Sequence, residues 1–129
     1  MHKELIICIV VVVVITVLDI FTQNFTNESI AYMDEELSYL KENLIIDEVD
    51  KDLVDNKMKE IYENWEEKKE KLAYYIEHDE LEKVNTELSS LKANILVEEY
   101  SQGVPNLEMC KFILNHIKEK TEIKIKNIF

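Results

Sequence analysis

A chain of 129 residues with a net charge of −12 holds one glycine, Gly103, one proline, Pro105, and no arginine. Average usage would supply roughly nine glycines and six prolines, so a glycine-rich phosphate loop, a dinucleotide fingerprint, a nucleophile elbow and a turn-rich β-sandwich are excluded. Without arginine there is no bidentate clamp for phosphate, and the negative charge argues against nucleic acid as a partner.

The first 21 residues differ from the rest. Residues 5–18 are apolar at every position except Thr16, and after Asp19 the apolar character resumes at Ile20 and Phe21. Seventeen helical residues span roughly 25 Å, the short end of what crosses a hydrocarbon core. Residues 10–14 are all valine, a poor helix former in water. In lipid the backbone must satisfy its own hydrogen bonds, so helix is enforced there. A cleaved signal peptide would need small residues just after the apolar run, and Ser29-Ile30-Ala31 comes too late. The expectation is an uncleaved anchor in residues 1–21, contacting the bilayer through residues 5–21. Lys3 and the amino terminus precede the span and the next lysine is Lys41, so the positive-inside rule puts the N-terminus in the cytoplasm and the remainder outside. Asp19 has two readings: a polar contact with a partner helix, or an interfacial residue at the membrane edge. Cys8 within the anchor and Cys110 far along the chain are too distant to bridge.

The remaining 108 residues carry −11 of the charge and show four helical patterns. Ile30, Met33, Leu37, Leu40 and Leu44 recur at steps of 3 and 4, one face of a first helix, with Thr26 or Asn27 available as its cap. No breaker separates it from the anchor, so one continuous helix is compatible with the sequence. The second helix, over about residues 50–77, has the stripe Val54, Met58, Ile61, Trp65, Leu72 and Tyr75 or Ile76, with one turn replaced by Lys68 and Lys69. The third begins at Asp79, an N-cap candidate with Glu82 three residues on, and carries Leu81, Val84, Leu88, Leu91 and Ile95. Gly103 and Pro105 then mark a stop and restart. The fourth helix covers about residues 105–118 with Leu107, Cys110, Leu114 and Ile117 on one face, Cys110 reading as a small buried hydrophobe. Residues 121–129 alternate apolar and polar, and are expected as an extended tail packed on the bundle and ending at Ile128 and Phe129.

The fold class expected is all-α: a transmembrane helix followed by an antiparallel four-helix up-down bundle over residues 22–120. Its order brings the end of the second helix, the start of the third and the end of the fourth to the membrane-proximal end. There His78, Asp79, His116 and Glu119 are the candidate metal ligands, weighed against a plain helix terminus in which Asp79 caps and His116 meets the helix dipole. No known metal spacing occurs, so no metal and no cofactor is expected. Trp65 and its tyrosine neighbours read as core, or as a partner face. Asn24-Phe25-Thr26 and Asn27-Glu28-Ser29 have the glycosylation pattern. No catalytic constellation is present.

The anchor, the acidic helix with Trp65, the segment Tyr75-Ile76-Glu77-His78-Asp79-Glu80-Leu81, the run from Lys111 to Lys120 and the end Asn127-Ile128-Phe129 resemble, over nearly the whole chain, a family of small bacterial proteins. These carry only a domain-of-unknown-function label and come from Gram-positive, spore-forming anaerobes. Where that pattern has proline after the His-Ile pair this chain has Lys118, which leaves the end of the last helix open by a residue or two. The resemblance implies a bacterial membrane protein encoded beside multi-pass membrane proteins. The expectation is a non-catalytic accessory of such a protein at the outer face of the cytoplasmic membrane, contacting it through Asp19, Trp65, His78 and His116. The alternative is an extracytoplasmic module that binds a small ligand or a metal.

Overall fold

The computed structural model describes the backbone of residues 2–128 and the side chains of residues 2–123. It is all-helical, with α1 (His2–Leu44), α2 (Lys51–Leu72), α3 (His78–Leu96) and α4 (Tyr100–Ile128), and no strand among the described residues. α1 is a single helix of 43 residues, about 65 Å long. Its first half is exposed almost throughout, and it is long and apolar enough to cross a membrane. Its second half buries Ile30, Met33, Leu37, Leu40 and Leu44. No cap separates the halves. Thr26 and Asn27 lie inside the continuous helix, so neither caps a helix start there, and Thr26 and Ser29 are buried on the core face.

The 3- and 4-residue stripes of the other helices close the core. Val54, Met58, Ile61, Trp65 and Leu72 of α2 meet Leu81, Val84, Leu88, Leu91 and Ile95 of α3 and Leu107, Cys110, Leu114 and Ile117 of α4 in one buried cluster. α1 packs on α2 and α4, α3 packs on α2 and α4, and the α3–α4 pair is the most intimate. The interrupted turn of the α2 stripe has a physical answer. Lys68 lays its ammonium 5.2 Å from the centroid of the Tyr32 ring, and Lys69 pairs with Glu66 at 3.1 Å, so both stems cover apolar surface while their charges are met.

The helix ends depart from the sequence expectations in four places. α2 starts as expected, the Asp50 carboxylate accepting from the Leu53 amide at 3.2 Å, but stops at Leu72. The chain then turns, with the Tyr75 and Ile76 amides bonded back to the Leu72 carbonyl, which swings both side chains onto the core edge. α3 starts one residue earlier than the Asp79 cap. Its N-cap is Glu77 and makes no side-chain cap bond, while Asp79 sits in the first turn, where its charge opposes the positive end of the helix dipole.

The α3–α4 turn is not at Gly103 and Pro105. It lies at residues 97–99, where the Glu98 amide bonds the Ile95 carbonyl and the Glu99 amide bonds the Asn94 carbonyl. This is the Schellman arrangement, and the residue it places in the left-handed region is Glu98, with φ of 60°. Gly103 lies inside α4 and is buried. A Cβ there would stand 3.1 Å from Leu91 Cδ1, so the glycine serves the close approach of α4 to α3. Pro105 also lies inside the helix, near its start, where the lost amide deprives only the carbonyl of Ser101.

The extended tail is also corrected: α4 runs on to Ile128. With no sheet to join, alternation cannot make a strand, and helix pairs the backbone internally. The side chains of Ile128 and Phe129 lie outside the described residues. Two substitutions test the turn and the close approach. Glu98→Gly relieves the left-handed strain and should stabilise the fold by about 1 kcal/mol. Gly103→Val overpacks the α3–α4 contact and should cost about 1–3 kcal/mol. Urea unfolding followed by circular dichroism reads both.

Candidate functional site

A groove of about 800 Å³ lies between α3 and α4. Its apolar floor comes from Met109, Phe112 and Ile113, and Asp79, Glu82, Lys83, Glu87 and His116 also line it. The α4 residues form a second stripe beside the buried one, and 3- and 4-residue spacing puts them on a neighbouring face. Phe112 is 69 % exposed and Met109 48 %, so the floor is apolar surface open to solvent. The polar wall of α3 is tied down by the Asn106 amide, which donates to Glu87 Oε2 at 3.0 Å.

The sequence candidates separate on this framework. Asp79 and His116 reach the same groove from α3 and α4. His78 is exposed, its Nε2 3.6 Å from Glu82 Oε1 one turn on. Glu119 accepts from Asn115 Nδ2 at 3.2 Å. Among the described residues no group of three or more His, Cys, Asp or Glu lies close enough to hold a metal ion, so the four candidates do not converge on one point. Trp65 is 1 % exposed and its indole N–H donates to Asn85 Oδ1. It is core, and the reading of Trp65 as a partner contact is corrected: on the closed side of an amphipathic helix the largest apolar side chain is the most favourable to bury. Asp19 is half-buried against its own helix and its Oδ2 is buried with no hydrogen-bond partner.

Cys110 is buried and unbridged. Burial pushes its thiol up to about 12, with the nearby Glu87 carboxylate acting in the same direction. Such a thiol is inert.

Two features escaped the sequence reading. Glu80 is buried at 8 % exposure, with Oε1 3.7 Å from Lys120 Nζ and Oε2 unpartnered. It flanks the α3 stripe one position before Leu81, where periodicity alone does not separate edge from surface. The second is a polar knot. Thr26 donates to the Thr22 carbonyl at 2.8 Å, and the Tyr75 hydroxyl meets Thr26 Oγ1 at 2.7 Å and the Thr22 carbonyl at 3.3 Å. Burial pushes the Tyr75 phenol up, and the Thr26 hydrogen bond opposes it. Only the adjacent pair Tyr74-Tyr75 hinted at this, and the partner lies some fifty positions earlier.

Residues 20–128 match the family described as a domain of unknown function, DUF4363. The match takes in the whole bundle and begins at the end of the apolar run. No curated protein and no solved structure matches the chain.

The Cys110 thiol gives a pH test. Its folded pKa is raised from 9.0 to about 12, so its contribution is full below pH 9. Between those values the unfolded chain releases a proton that the folded chain keeps, and stability falls as pH rises, with a slope of order 1 kcal/mol per unit. Urea unfolding of the native chain and of Cys110→Ala should therefore diverge above pH 9, the variant losing less.

Proposed function

The chain belongs to the DUF4363 family, and on that premise we propose that it is a single-pass membrane-anchored protein, a non-catalytic accessory or interaction partner of a multi-pass membrane protein at the outer face of the cytoplasmic membrane. The observation that carries this reading is the exposed apolar half of α1, which runs without a break into a folded bundle. An exposed apolar surface of that length is stable only in lipid or against another protein. Lys3 before the span and the lysine-free stretch after it favour a cytoplasmic N-terminus. The family resemblance in the sequence adds the bacterial setting.

In this reading residues 22 onward form an antiparallel up-down bundle. Several contacts support that order. Lys57 meets Glu36 while Tyr75 meets Thr26. Lys41 meets Glu108 while Lys111 meets Ser38. Asn94 meets Asn106 while Glu80 meets Lys120. In each pair of helices the numbering of one rises as the other falls. The α2–α3 turn and the later turns of α4 then lie beside the start of the outer part of α1. The partner is contacted at two places. Asp19 is an ionisable side chain near the end of the span, half-buried on α1, for which a donor on a neighbouring helix is the most favourable complement in lipid. The α3–α4 groove offers Phe112, Met109 and His116 beside a charged wall of Asp79, Glu82, Lys83 and Glu87.

That groove also motivates a second reading, an extracytoplasmic module for a small ligand or a metal, since Asp79 and His116 share it. The two are separated by thermal melting of the detergent-solubilised chain with and without divalent ions. Accessory function predicts an unchanged midpoint. A rise of several degrees that His116→Ala abolishes would establish the second reading instead. For the first, crosslinking in native membranes followed by affinity purification should recover one dominant multi-pass protein. Asp19→Leu should cut that yield several-fold, and recovery of none from a chain monomeric in detergent would overturn it.

A further inference from the structure

We infer that the α2–α3 turn is a second membrane contact: Tyr74 sits in the phospholipid headgroup layer and holds the bundle upright on its anchor. The inference rests on the anchor reading and goes beyond it. The apolar run ends at Phe21. Headgroups add about 5–7 Å on each side of the hydrocarbon, which at 1.5 Å per residue covers roughly the next four residues of a helix leaving the bilayer. The Tyr75 hydroxyl is bonded to the Thr22 carbonyl at 3.3 Å and to Thr26 at 2.7 Å, the first residue of that stretch and the one just beyond it. The turn is therefore pinned at headgroup height by hydrogen bonds, wherever the rest of the bundle leans. If the membrane edge lies at Asp19 instead of Phe21, the Thr22 end of the knot stays within the layer.

Tyr74, next in the chain to the pinned residue, is 90 % exposed, and Phe21 at the end of the apolar run is 69 % exposed. Lys71 on the last turn of α2 lies 5.9 Å from the Phe25 ring. An aromatic ring with a polar tip, beside a lysine and at the end of a span, has the composition of an interfacial belt. A bilayer surface is the occupant that this geometry selects, because the turn is held beside the residues that directly follow the apolar run. The docked turn fixes the tilt and rotation of the whole molecule relative to the bilayer. It also brings the Asp79 end of the α3–α4 groove close to the membrane, within reach of a partner's juxtamembrane segment.

The test uses the full chain carrying Cys8→Ser, with buried Cys110 left in place. A single fluorophore is attached through Val11→Cys, Ala73→Cys or Glu98→Cys, in phosphatidylcholine nanodiscs containing nitroxide lipids. Quenching at position 11 by deep nitroxides tests the anchor alone. Quenching at position 73 by headgroup nitroxides should exceed that at position 98 by roughly threefold, as expected for an interfacial residue against a distal one. Adding Tyr74→Ala or Tyr75→Phe should reduce it at least by half. Quenching at 73 no stronger than at 98, with position 11 quenched, overturns the inference and leaves the anchor standing. No quenching at position 11 overturns both.

Discussion

Everything in this protein hangs from one helix that carries two different apolar patterns. Over residues 5–21 α1 is apolar all round, and from Ile30 onward it is apolar on one stripe only. The first pattern is satisfied by an apolar environment on every side, lipid or protein, and the second by a folded partner on one side and water on the other. Because no residue breaks the helix between them, the two environments are coupled through about 65 Å of rigid backbone. α2, α3 and α4 can be understood as the surface that the second half of α1 requires. α2 and α4 flank the stripe directly, and α3 closes the ring between them.

At the junction of the two patterns the chain does something that hydrophobic periodicity does not describe. Thr26 and Ser29 are buried where larger apolar residues would continue the stripe, and the Tyr75 hydroxyl enters to bond the Thr22–Thr26 turn. A hydroxyl buried beside a main-chain carbonyl is stable only when paired, so the knot specifies the height of the α2–α3 turn against α1. Hydrophobic contact resists sliding along a helix weakly, whereas a buried hydrogen bond has one register. Farther out, Lys41–Glu108 and Lys111–Ser38 tie α1 to α4, and Lys57–Glu36, with less than a fifth of each side chain exposed, ties it to α2. The exposed Lys41–Glu108 pair contributes little energy and serves mainly to exclude other registers.

Much of the fold was legible in the sequence. All four buried stripes follow from apolar residues at steps of 3 and 4, and the missing turn at Lys68 and Lys69 was legible as snorkelling. The helix ends were less so. Glycine and proline are the usual punctuation of a helical chain, yet here both lie inside α4, and the turn falls at Glu98, whose type gives no warning of a left-handed conformation. Capping by Asp79 failed for a related reason: the packing of Tyr75 and Ile76 on the core sets where the chain must re-enter a helix, and that point comes before the best cap residue. The candidate site was half legible. Asp79 and His116 do meet in one groove, while Trp65 is committed to the core and the His78 and Glu119 side chains go to local partners.

The sequence by itself determined the all-helical class, the apolar run and which apolar residues form the buried stripes, because those depend on composition and on a periodicity that each helix carries alone. Only the tertiary structure decided where helices end, what Gly103 is for and which polar atoms meet. Those outcomes depend on the distance between elements. Gly103 is needed because Leu91 approaches to within contact of where its side chain would begin, and Tyr75 is ordered because Thr22 and Thr26 stand opposite. The single glycine, so conspicuous in the composition, therefore marks a close approach of α4 to α3.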